Sequence, residues 1–232
     1  MTIVLWQALF RVQDQLFNYN LGQIQSYIFL VLVVGSLIFS LLSANYVGAE
    51  ISSGDLNYYL LKPYPYITYW FTRNLADKAL NLLFSVVEIT ILYLILQPQI
   101  ALTNSIIHLV AALFLILFGL TIYYFLHLLC EMVGFWAPEN MWALSFLLIV
   151  SAEVLGGAIF PLDVLPASII QALQFTPFPY LIYYPIQFLL GKTTFTQSIL
   201  ILSSSFAWVS VLYFCVQFVW YKGLKNYSAY GQ

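Results

Sequence analysis

Two glutamates stand where a carboxyl is expensive. Glu88, in SVVEITIL, and Glu153, in VSAEVLGG, each fall midway along an apolar run. An ionisable side chain at the centre of a membrane helix costs about 2.5–3.5 kcal/mol on insertion scales, so each is a functional candidate by default. Two roles fit them equally. They could line a polar translocation path or bind a cationic substrate, or they could form interhelical hydrogen bonds that hold the subunit or its dimer together. His127 and Glu131 are spaced i, i+4 and read as an ordinary interfacial pair. His108 lies near the opposite end of that apolar run, so the three cannot meet through one helix. A metal site needs converging ligands and a water-activating group. The sequence has no HExxH, no nucleophile elbow and no Ser-His-Asp set, so neither a metal nor a catalytic residue is expected. Gly-rich phosphate loops are also missing. No cofactor is therefore expected on this chain.

The elements that carry these residues follow from composition. The 232 residues are 62% hydrophobic and 7% charged, with a mean hydropathy of +0.91, whereas a soluble domain is about 25% charged. A soluble fold of this size could not cover so much apolar surface, so the chain is an integral membrane protein in contact with lipid. Seven Lys+Arg without a basic run give nucleic-acid binding no support. Cys130 and Cys215 sit in or beside apolar runs and are expected as buried thiols without a disulfide.

Crossing the hydrocarbon as a helix takes about 20 apolar residues. Five runs reach that length: roughly 24–43, 75–96, 106–129, 141–160 and 196–220. They lack barrel-type alternation, so the fold class is all-α, a polytopic helix bundle. Lys62, Arg73 and Lys78 cluster around the first connection, and Lys222 and Lys225 follow the last run. Cations collect in cytoplasmic loops, which places that connection and the C-terminus inside the cell, with the chain multi-pass in the plasma membrane. Glu88 and Glu153 then lie about 13 residues, ~20 Å, along spans of the same direction. No Lys or Arg is expected beside them within the spans, leaving Ser and Thr as partners. Five spans with the C-terminus inside put the N-terminus outside, yet MTIVLWQALF has no basic signal. The expectation is that it is the tail of a truncated first span.

One stretch departs from the oily pattern: GAEISSGDLNYYLLKPYPY, Gly48 to Tyr66. Leu56, Leu60 and Leu61 share helical spacing, Ser52 or Ser53 can cap a helix start, and Asp55 suits its positive end. Lys62 favours the C-terminal end, Pro63 stops the helix and Gly54 permits a sharp bend. A short amphipathic helix across the inner membrane face is expected, either as a plain anchor or as a docking knob.

The pattern E-I-S-S-G-D-L-N-Y-Y-L-L-K-P resembles the loop after the second span of type-2 ABC transporter permeases, the membrane subunits of ABC exporters. GFW (134–136), GGAIFPLDVLP (156–166) with PFPYLIYYPIQFLLGK (177–192), and YKGLKNYSAYGQ (221–232) agree with it in order. The resemblance covers nearly the whole chain, 1–232, as one transmembrane permease domain. It implies a six-span fold, here with the first span truncated, and a coupling helix at about Glu50 to Pro63 that fits an ATP-binding cassette subunit. Glu50, Gly54, Asp55, Leu56, Leu60, Leu61, Lys62 and Pro63 would make that contact. It also implies that ATP is bound by this partner rather than by the chain itself, and that a second permease completes a homo- or heterodimer.

Pro161, Pro166, Pro177, Pro179 and Pro185 break the segment from 161 to 195 into pieces too short to cross. ASIIQALQF suits one short helix and PYLIYYPIQFLL a second, broken one. They form either a cap on the outer leaflet or, as the resemblance implies, external helices that dip inward and border the exit, with Pro161, Pro166, Pro177 and Pro179 as gate candidates. The function expected is a permease subunit of an ATP-driven exporter. A proton- or ion-coupled carrier using Glu88 and Glu153, or a non-transporting scaffold, are the alternatives.

Overall fold

The structure, a computed structural model, describes residues 19–39, 46–97 and 100–227. The reading of the first ten residues as a remnant span, the end of the first apolar run at 40–43 and the end of the tail at 228–232 lie outside the described residues. Those residues form α1 (Leu21–Phe39), α2 (Tyr46–Ser53), α3 (Leu56–Leu60), α4 (Tyr66–Leu96), α5 (Ile106–Met132), α6 (Met141–Leu155), α7 (Ala167–Gln174), α8 (Tyr183–Leu189) and α9 (Phe195–Asn226). Five helices, α1, α4, α5, α6 and α9, are long and apolar enough to cross a membrane. That is the expected number, in the expected places.

The boundaries have local causes. α4 starts nine residues before the apolar run at 75, because Pro65 sets an extended backbone there and the aromatic turn behind it continues as helix. It ends at Gln97, whose left-handed backbone (φ 40°) returns its N–H to the Tyr93 carbonyl. α6 stops at Leu155 rather than near 160, where Gly157 takes a positive φ and turns the chain. Thr194 and Gln197 build a reciprocal capping box that starts α9.

α5 is the hub, packed by α1, α2, α6, α8 and α9, with Ala112, Leu115, Ile122 and Met132 fully enclosed. α4 rests chiefly on α1 and turns most of its length outward. Between the spans, α7 is short and surface-lying, whereas α8 is not a leaflet cap. Tyr183 through Phe188 are all buried, between α1 and α5. Pro185 is tolerated because it occupies the first turn, where its missing N–H has no intrahelical partner to lose. Both cysteines are free. Cys130 is half-buried as expected, but Cys215 is exposed on α9, where a thiol meets lipid like any small apolar group.

Membrane helices gain most of their packing from close approach, which small residues allow. At Gly119 of α5, an added Cβ would stand 3.1 Å from the Tyr180 carbonyl oxygen and 3.2 Å from Ile38 Cδ1. Three elements therefore meet there with no spare room. Gly119→Val is expected to destabilise the bundle by about 1–3 kcal/mol, read as a lower thermal midpoint in detergent. Gly35→Ala, whose new methyl would lie 3.8 Å from the Phe39 ring, should leave that midpoint unchanged.

Candidate functional site

At one end of the bundle, the polar stretch after α1 folds as two helices rather than one. Gly54 takes a positive φ of 87°, which a residue without a Cβ adopts freely, and it separates α2 from α3. Ser52 and Ser53 consequently close α2 instead of opening the following helix. Ser52 Oγ returns to the Ala49 carbonyl, and Ser53 Oγ donates to the Asp55 carboxylate. Asp55 stands at the start of α3 without a side-chain cap. The expected apolar stripe splits as well: Leu56 is fully buried, while Leu60 is 42% and Leu61 86% exposed. Lys62 donates to the Tyr58 hydroxyl and lies over its ring, which lowers the phenol's pKa and raises the lysine's. Pro63 follows on the surface, past the end of α3.

Two carboxylates fix this unit to the spans. Glu50 accepts from Tyr66 Oη at 2.7 Å and from Trp70 Nε1 at 3.1 Å, so it turns into the protein toward the first turns of α4. Tyr66 in turn stacks on Trp220 of α9, with ring centres 4.8 Å apart. Glu131, at the end of α5 and 3% exposed, accepts from the Val47 amide at 3.2 Å, while its other oxygen lies 3.2 Å from His127 Nδ1. The first amides of a helix have no intrahelical acceptor. The carboxylate of α5 therefore serves as the N-terminal cap of α2, in addition to the pair with His127 that i, i+4 spacing suggests. His108 is at the other end of α5, its Nε2 3.0 Å from the Thr193 carbonyl.

A cleft of about 280 Å³ opens beside the unit, bounded by Ile51, Ser52 and Gly54, by Gly134, Phe135 and Pro138, and by Asn226 and Tyr227 of the α9 end. Three separated stretches of sequence, at 50–63, 134–136 and 221–227, thus converge on one surface.

The opposite end is organised by Asp163. Its carboxylate accepts from Tyr19 Oη at 2.5 Å, from Tyr183 Oη and, at 3.0 Å, from Gln187 Nε2, which also donates to Tyr19. Burial, and behind it the Asp163 charge, raises both phenols above their ordinary pKa. Lys192 Nζ lies 3.3 Å from the centre of the Tyr19 ring, and burial pulls its pKa down. Tyr27 Oη reaches the Gly157 carbonyl at 2.6 Å. Among the proline candidates, Pro161, Pro177 and Pro179 are buried and Pro166 is exposed. The prolines shape this segment, but Asp163 with its tyrosines ties it to α1. Sequence reading missed that group because its members are 144 and 20 residues apart.

The membrane glutamates are not brought together. Both Glu88 of α4 and Glu153 of α6 are exposed on outward faces, and α4 packs chiefly on α1 while α6 packs on α5. The expectation that the spans hold no cation is also corrected. Lys78 lies inside α4, 3% exposed, because the helix already begins at Tyr66.

Glu131→Ala is expected to strip the cap from α2 and cost about 1–3 kcal/mol, seen as faster proteolysis within residues 46–64. Glu131→Gln, which keeps an acceptor, should lose less. Asp163→Ala leaves three donors without their acceptor and should lower the detergent thermal midpoint by a comparable free energy; an unchanged midpoint would remove Asp163 as the organiser of its end.

A family model described as ABC-2 family transporter protein matches residues 1–231. No curated protein and no solved structure matches the chain.

Proposed function

We propose, from the premise that the chain belongs to the ABC-2 transporter family, that it is the permease subunit of an ATP-driven exporter. The observation that carries this reading is the two-sided build of α2–α3. One side is bound to α4 by Glu50 and to α5 by Glu131. The other presents Tyr58 at 62%, Leu60 at 42% and Leu61 at 86% exposure. An apolar knob held rigidly against two spans suits a cytoplasmic ATP-binding cassette subunit whose two states grip it differently, since a partner shifts an equilibrium only through differential contacts. ATP binding would close the nucleotide subunits, their motion would reach α4 and α5 through this unit, and the path would open at the Asp163 end. ATP itself stays on the partner.

Sidedness supports the same orientation. Lys62, Lys222 and Lys225 gather at the α2–α3 end and Lys192 at the other, a bias that supports reading the former as cytoplasmic, together with the C-terminus, in a plasma-membrane protein. The outward Glu88 and Glu153 suit contact with a second permease better than open lipid, where a central carboxyl is costly. A proton-coupled carrier would need these two on a shared path, and they stand on faces of helices with different neighbours.

Glu50 is a poor probe of docking, because charge reversal would break its contacts to Tyr66 and Trp70 within the chain. Leu61→Asp is the cleaner variant. It is expected to leave the folded chain intact but to abolish co-purification of an ATP-binding subunit from native membranes and ATP-dependent export. Glu50→Lys should lower the thermal midpoint as well. Retention of the partner and of export by Leu61→Asp would sink the coupling assignment, and a wild-type chain that recovers no such partner would leave only a scaffold.

A further inference from the structure

α4 has two faces of opposite chemistry. Outward stand Leu75, Leu80, Leu83, Phe84, Val87 and Leu94, all more than half exposed. Among the residues turned toward the rest of the chain, Asn74, Lys78, Asn81 and Ser85 recur at helical spacing as a polar stripe, with Asp77 and Leu82 partly enclosed at its flank. Of these Lys78 is the most enclosed, at 3% exposure, and its Nζ has no hydrogen-bond partner. Among the described residues no carboxylate pairs with it. It lies 12 residues, ~18 Å, from the start of α4, within a helix long and apolar enough to cross a membrane.

A helix that only packs in lipid places its small and apolar residues toward its neighbours. A polar stripe aimed inward is the arrangement of a helix bordering a wet route, where intramembrane ionisable residues face the bundle interior and meet a ligand. We propose that this stripe of α4 lines the passage for the transported molecule, and that Lys78 binds an anionic group on it. The cargo class is then an amphiphile with an apolar body and a carboxylate or phosphate head. Lys78 supplies the point charge, and the amides of Asn74 and Asn81 and the Ser85 hydroxyl are the neutral groups along the same face. Glu88 continues the helical spacing, about 20° round from Asn81, but it is exposed and stands ten residues, ~15 Å, along the helix from Lys78. The cargo assignment rests on the transporter reading, but the site itself does not.

The test uses the full-length chain in phosphatidylcholine nanodiscs and measures energy transfer from its tryptophans to parinaric acid, with parinaric acid methyl ester as the uncharged control. Saturable binding of the acid but not of the ester is expected. Lys78→Gln should weaken it about tenfold or more, the scale of one lost charged hydrogen bond, while Lys78→Arg and Glu88→Gln retain it. Equal binding of acid and ester by the wild-type chain overturns the proposal without recourse to any variant, as does an unchanged affinity in a monodisperse Lys78→Gln protein. Replacing one-fifth of the lipid by phosphatidylglycerol then distinguishes the sources of the anion. Competition that depends on Lys78 assigns the site to a lipid phosphate, and absence of competition assigns it to a free acid. The readout needs no ATP and no partner. Acid binding by a chain that recovers no ATP-binding subunit would therefore refute the transporter reading and leave the site standing.

Discussion

The Glu131 carboxylate on the first amides of α2 is the contact from which the geometry of the α2–α3 end follows. Amides at the start of a helix need an acceptor from outside it, and here the acceptor comes from the span that packs against the most other elements. Because α5 also packs against α1, α6, α8 and α9, whatever holds α2 to α5 holds it to the bundle as a whole. Burial of Leu56 and the Glu50 bonds to Tyr66 and Trp70 complete the attachment. With one side so fully engaged, the remaining side is free to be apolar and exposed without destabilising the fold.

The two ends of the molecule solve the same problem with different chemistry. Each must tie irregular backbone to the spans where water is scarce and an unpaired polar group is costly. At the α2–α3 end the ties are carboxylates that accept from amides, an indole and a phenol. At the other end Asp163 gathers two phenols and a carboxamide around one carboxylate. Charge-assisted hydrogen bonds are roughly twice as strong as neutral ones, which suits Glu50, Glu131 and Asp163 to joining elements.

How much of this was legible depended on range. The five spans could be read because apolar length is a local property, and α7 because proline and capping rules act over a few residues. α8 was legible as a break and a short helix, but not as a buried element, since burial is set by α1 and α5 from elsewhere in the chain. At 50–63 the composition announced a polar helix, yet the left-handed Gly54 divides it, and no spacing rule says whether a glycine bends or cuts. Glu50 read as a docking residue because the resemblance assigns the segment from Glu50 to Pro63 to the partner, and a segment assignment does not fix which way each side chain turns. Its partners lie 16 and 20 residues later, at the start of a helix whose onset the hydropathy placed too late. The same late onset turned Lys78 into a loop cation. Glu88 does fall within α4, but Glu153 stands two residues from the end of α6 rather than midway, because the chain turns at Gly157; position along a helix also says nothing about azimuth.

Azimuth is what decides how a push on α2–α3 would travel. The unit is fixed to α5, which five elements surround, and to α4, which rests chiefly on α1. Displacing α5 would disturb packing on every side, and densely packed interfaces shift between discrete arrangements rather than deform continuously. Displacing α4 disturbs less of the chain's own packing, because within the chain it rests chiefly on α1. Tyr66 and Trp70, the residues that Glu50 holds, are in its first two turns, so the same motion carries the inward stripe containing Lys78 with it. Under the proposed coupling, α4 would be the compliant lever and α5 the fixed post. A polar face on the lever, rather than on the post, changes its surroundings whenever the unit at its base moves.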